Sequence, residues 1–199
     1  MFSHKIPRIK NAELVPVPFR ARYANVQSII DCLEIQVQKP NDPIKQALTW
    51  SEYKNCNTLK HLVSCTPNGI VNFIYTGFGG RTSDKVIVEN CGYLEKLPSA
   101  THIMADRGFK HVAQLFAQKN CTLVRPPSVP SSTKSSKQDV ILTKQIASLR
   151  IHVERVVRRI REFKMLRPHS CLHNKLLASI DNIIIVACGL INMQGALIK

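Results

Sequence analysis

Acidic residues are scarce in this chain: 13 Asp and Glu stand against 28 Lys and Arg, a formal net charge of +15 over 199 residues. That deficit argues against a cationic partner and for a polyanionic one, because cations that neutralise phosphates release counterions, and nucleic acid is the leading candidate. The seven cysteines, at 32, 56, 65, 91, 121, 171 and 188, contain no C-x-x-C pair and leave an odd one over. A disulfide framework is thereby disfavoured, and reduced thiols in a nuclear or cytosolic protein are expected. The start, Met1-Phe2-Ser3-His4-Lys5, lacks the apolar core of a signal peptide, and the longest apolar run, Ile183 to Ile191, is too short to cross a bilayer. A soluble protein with no membrane partner is the expectation. There is no internal repeat. What the chain does have is 44% hydrophobic residues, enough for one substantial core.

Residues 1–25 carry Pro7, Pro16 and Pro18 among scattered charges and read as a linker or the remnant of an upstream region. The folded domain is expected over 26–199. "VQSIIDCLEIQVQ", 26–38, is rich in β-branched residues and alternates at its end as a strand does. The runs 59–65 and 69–78, joined by Thr66-Pro67-Asn68-Gly69, predict a hairpin. A helical pattern through Val86, Ile87, Asn90, Tyr93 and Leu94 follows "GGRTSDK"; "THIMAD" predicts a fourth strand, 109–119 a helix and "CTLVRPP" a fifth strand. The Ser-, Pro- and Lys-rich stretch 126–139 reads as a mobile loop, before two long helices over about 139–166 and 172–196. This order indicates an α/β fold with a mixed five-stranded sheet flanked by helices, as in ribonuclease-H-like proteins.

Phosphodiester chemistry by two metals needs several carboxylates converging on hard divalent cations. Asp31 follows Ile29-Ile30 inside the first strand, where a charge is costly unless paired or metal-bound. Asp106 ends the fourth strand, which lies beside the first in a ribonuclease-H-like arrangement; its simpler role is to cap the helix that starts near Phe109. The third acid is Glu154. On a helical wheel Leu149, Val153, Val156, Val157 and Ile160 fall on one side, whereas Arg150, Arg158 and Arg161 lie within about 40° of Glu154. An Arg150–Glu154–Arg158 ion-pair ladder would explain that glutamate without chemistry. Against it, residues 140–170 hold eight Lys and Arg but two Glu, a surplus suited to phosphates. His169, Cys171 and His173 have one metal-ligand spacing, but no second cluster completes a zinc site.

Five ordered blocks, "IIDCLEI", "WSEYKNCNTLK", "GGRTSDK", "MADRGF" and "IASLRIHVERVVRRI", resemble the DDE superfamily endonucleases, the catalytic domain of Harbinger-type transposases and their domesticated relatives. The resemblance runs from about Phe19 to Leu190. It implies a ribonuclease-H-like nuclease that uses Mg²⁺ or Mn²⁺ to cut and rejoin DNA in the nucleus, with Asp31, Asp106 and Glu154 as the catalytic and metal-holding acids. Arg107 and Lys110 then suit DNA phosphates, as do Arg150, Arg158 and Arg161, and Tyr53, Lys54, Asn57 and Lys60 stand where they could touch DNA. Asp84 in "GGRTSDK" matches too, but Thr82, Ser83 and Asp84 also stand where a helix N-cap belongs, so Asp84 is expected to cap and is left outside the triad.

Transposases of this kind carry a separate DNA-binding region ahead of the catalytic core, whereas about 25 residues precede the first strand here. The expected partners are therefore DNA and a separate DNA-binding protein or upstream module, with oligomers left open. The alternative expectation is a domesticated or truncated relative that binds DNA or protein without cutting.

Overall fold

The computed structural model describes Ile6, residues 15–20, 22–128 and 136–195, and Leu197. Most of the expected linker 1–25, and residues 129–135 of the expected loop, lie outside the described residues. Strand β1, Val26–Gln36, is the axis of the fold. Its alternation divides the core: Ile29, Leu33 and Ile35 enter one apolar cluster and Ile30 the other. Period-two geometry therefore sends odd-numbered side chains, Asp31 among them, to the first face, and Cys32 and Glu34 to the second.

β1 pairs antiparallel with β3, Cys56–Cys65, along one edge, and parallel with β6, His102–Met104, along the other. The expected neighbourhood of the first and fourth predicted strands is thus observed. β6 pairs parallel with β7, Thr122–Val124. Three short strands share the far edge of β3: β2 (Trp50–Ser51), β5 (Phe78–Gly79) and β4 (Val71–Ile74). The sheet is mixed and flanked by helices, a ribonuclease-H-like arrangement, with seven strands where five are expected.

The first face is covered by α6, Lys137–Ile160, and α7, Ile180–Met193. Ser136 and Asp139 close a capping box at the start of α6, just inside the stretch expected to be a loop. The predicted stripe is buried: Leu149, Val153, Val156, Val157 and Ile160 are all at most 9% exposed. α6 stops at Ile160 rather than near 166; a continued helix would swing Leu166 roughly 120° off that stripe. A 3₁₀ turn at Lys164–Leu166 buries Leu166 instead.

The second long helix also starts late. Residues Asn174–Ser179 form a 3₁₀ segment with no buried residue, so packing does not impose the 3.6-residue period there. Asn174–Met193 together are long and apolar enough to cross a membrane. Ile180, Ile184, Cys188 and Ile191 pack in the core, however, and the polar ends of the helix are tied to the sheet. Asp181 accepts hydrogen bonds from the Gly77 N–H (2.9 Å) and pairs with His61 Nε2 (3.1 Å). Asn192 exchanges two bonds with the Val71 backbone, at 2.8 and 2.9 Å.

The second face carries α3 (Asp84–Asn90), α4 (Tyr93–Lys96) and α5 (Ala113–Gln118) around Tyr93, Phe73, Phe109 and Phe116. The helix expected over 109–119 is a 3₁₀ turn, Arg107–Val112, running into α5. Two further helices are α1 (Val17–Arg20), which buries Phe19, and α2 (Pro43–Thr49), which is capped by Asp42 and starts on a proline whose missing N–H costs nothing there.

Candidate active site

Asp31 points from β1 to the α6 side. Its Oδ1 accepts the Cys32 N–H at 2.8 Å and its Oδ2 lies 3.9 Å from an Arg150 guanidinium nitrogen. Burial pushes its carboxyl up to about 6, although Arg150 and the Cys32 N–H pull it down; Asp106 and Glu154 add to the rise as like charges. Three acids expected to act together are therefore electrostatic neighbours, although they come from a strand, a strand end and a helix.

Asp106 takes the simpler role expected of it and also faces the cleft. Its Oδ1 accepts the Gly108 N–H at 2.7 Å, capping the 3₁₀ turn, while the residue lines the same cleft as Asp31 and Glu154. A side chain on Gly108 would meet Asp106 Oδ1 at 2.9 Å and Asp84 Oδ2 at 3.4 Å, so glycine there leaves room for two carboxylates.

Glu154 is exposed on the cleft-facing side of α6, and among the described residues it forms no ion pair. The arginine ladder is not formed: Arg150 turns to Asp31 instead, and its Nε is buried without a hydrogen-bond partner. Arg150 is thus a counter-charge within the cleft wall. Of the cations expected to meet phosphates, Arg158, Arg161 and Lys54 line the cleft, whereas Arg107 and Lys110 are exposed outside its lining.

Asp84 departs from its expected role. The cap of α3 is Ser83, whose hydroxyl accepts from the Val86 N–H, and the Asp84 carboxylate turns into the cleft. There it accepts the Cys32 thiol at 3.6 Å and faces Lys60 Nζ at 3.8 Å. Burial raises its carboxyl, opposed by Lys60, with Asp106 contributing as a like charge. Lys60 also lies 3.7 Å from Glu34 and donates to the Thr82 carbonyl at 3.2 Å, so its ammonium is engaged within the protein. Glu34 in turn accepts from Ser51 Oγ (2.9 Å) and Thr58 Oγ1 (3.1 Å). Sequence reading singled out Asp84 and Lys60 separately and missed that they meet; the register of β1 on β3, which sets Lys60 opposite Glu34, is what joins them.

The cleft holding these groups has a volume of about 1210 Å³. Its acids are hard oxygen donors suited to Mg²⁺ or Mn²⁺, and its one thiol, Cys32, is occupied by Asp84 and held protonated by burial. As placed, no three His, Cys, Asp or Glu side chains among the described residues form a finished ligand set. Asp31 and Asp106 each spend an oxygen on a donor of the protein itself. The donor chemistry fits a divalent cation, and closing around one requires rotation of these side chains.

No curated protein and no solved structure matches the chain. A family model described as DDE superfamily endonuclease matches residues 30–192, from the residue before Asp31 to the penultimate residue of α7, with Asp31, Asp106 and Glu154 inside the match. The chain belongs to the DDE superfamily of endonucleases.

Proposed function

We propose that this chain is the catalytic domain of a transposase-type DNA endonuclease in which Asp31, Asp106 and Glu154 hold Mg²⁺ or Mn²⁺. The observation that carries the reading is the meeting of these acids in one cation-lined cleft of a chain that belongs to an endonuclease family. The bound cations would supply positive charge to the attacking and leaving oxygens of a DNA phosphodiester. Arg158, Arg161 and Lys54 would hold flanking phosphates, and Arg150 would balance Asp31 until a cation arrives. Asp31 must be ionised to serve, and with its carboxyl at about 6 it is so at neutral pH. DNA as substrate fits a nuclear protein working with a separate DNA-binding partner or module.

Incubation of the purified chain with supercoiled plasmid and Mn²⁺ tests this. Nicking that disappears in both Asp106→Asn and Glu154→Gln is expected; nicking that survives either substitution rules out this site.

A specific observation favours a second reading. The acids do not form a finished ligand set, and Arg150 already faces Asp31, as in a domain that binds DNA without cutting it. That reading predicts salt-sensitive binding with no nicking at any Mn²⁺ concentration.

A further inference from the structure

The turn between β2 and β3 presents Tyr53 almost wholly to solvent, 81% exposed, on the lining of the cleft that holds the three acids. Single exposed tyrosines are ordinary, but this one has three further properties. Its turn is firmly based: Trp50 pairs with Asn57 and Ser51 with Cys56. The Asn57 amide donates to Thr49 Oγ1 and the Gln46 carbonyl at 2.8 and 2.9 Å, and Ser51 is bonded to Glu34 on the cleft floor. Asn55, at φ 53°, closes the turn in a conformation that asparagine tolerates better than most residues. The ring also carries a cation, with Lys54 Nζ 4.6 Å from its centroid. Finally, the same cleft is lined by Arg158, Arg161 and Arg167, which supply a phosphate-holding surface with no aromatic of their own.

A positive groove that follows the backbone, joined to an aromatic face on which a base can stack, is the physical recipe for holding unpaired nucleic acid. In a paired duplex each base face is covered by its neighbours, so an aromatic ring gains a stacking partner only where a base is unstacked. We infer that Tyr53 is a base-stacking subsite and that the cleft takes DNA with an unpaired base beside the reacting phosphate. This rests on the reading of the cleft as a DNA site and adds the form of DNA it prefers. The Tyr53 ring, not its hydroxyl, supplies the contact, and Lys54 holds the adjoining phosphate.

The test is equilibrium binding in EDTA, which prevents cleavage, to two labelled DNAs of one sequence: a continuous duplex and a duplex with a three-nucleotide single-stranded gap containing 2-aminopurine. The intact chain should bind the gapped DNA about tenfold more tightly and change the 2-aminopurine fluorescence. Tyr53→Ala should lose both effects, binding gapped DNA no more tightly than continuous duplex, and Tyr53→Phe should keep both. Because the side chain is exposed, neither substitution disturbs the core. A preference that survives Tyr53→Ala, or is lost equally in Tyr53→Phe, overturns the stacking subsite. Equal binding of both DNAs by the intact chain overturns it too but leaves the DNA-binding cleft standing; binding of neither removes the cleft reading and this inference together.

Discussion

The two faces of β1 each set carboxylates against a cation, and they do so differently. On the α3 side Lys60 lies between Glu34 and Asp84 and bonds to Thr82, while Glu34 takes two further hydroxyl bonds. That cluster is closed: its cation has two anions and its acids have local donors. On the α6 side Arg150 faces Asp31 at 3.9 Å with its Nε unpaired, and Asp31 keeps a strongly raised carboxyl despite that neighbour. Burial and two further acids there exceed what one guanidinium offsets. The closed cluster belongs to the scaffold, and the open one is prepared for more positive charge.

The largest effect that would break this contrast is on stability. Lys60→Met should cost about 3 kcal/mol in urea unfolding, because it leaves two largely buried acids without their cation. Mn²⁺ affinity in the surviving folded fraction should change little; a large loss of affinity would make Lys60 part of the metal site. Next, Gly108→Ala pushes a methyl group onto Asp106 and should weaken Mn²⁺ binding about 10- to 100-fold, as expected when a ligand loses its orientation. Calorimetric titration would show it, and unchanged affinity would free Asp106 from the ligand set.

A smaller effect follows from Asp31. Its folded-state value of about 6 lies above the ordinary 3.8, so between these the folded chain binds the extra proton. Its contribution to stability is therefore gained as pH falls through 6 towards 4 and lost as pH rises through 6. Relative to Asp31→Asn, the intact chain should gain about 1 kcal/mol between pH 7 and pH 5 in urea titrations. A difference that stays flat would mean that the acid is not buried at all. The smallest effect is the most discriminating. Arg150→Gln removes a competing positive charge and should tighten Mn²⁺ binding several-fold at pH 8, where Asp31 is ionised with or without its partner. Weaker binding would mean that Arg150 organises the site instead of opposing the ion.

Much of this contrast could be read from the sequence where a period repeats long enough. The strand order brought Asp106 beside Asp31, and the apolar stripe of α6 left Glu154 at the centre of a basic face, whereas the meeting of that face with the aspartates was implied by the family resemblance alone. What escaped was local. The sequence around Ser83 and Asp84 offers two equally good caps, and only the Val86 N–H decides between them, freeing Asp84 for the cleft. Arg150 has two acids within reach, Glu154 four residues on and Asp31 across the core, and helical spacing alone shows the first. Strands of two residues, such as β2 and β5, carry no period, so the edge that supports Tyr53 left no pattern.

The central claim, that Asp31, Asp106 and Glu154 together hold the divalent cations, is tested most directly by affinity cleavage. Ferrous iron bound in place of magnesium produces hydroxyl radicals that cut the polypeptide near its ligands, and mass spectrometry locates the cuts. The account predicts cuts clustered around residues 31, 106 and 154, all suppressed together by excess Mg²⁺. Cuts at only one of these places, or elsewhere and insensitive to Mg²⁺, would contradict it.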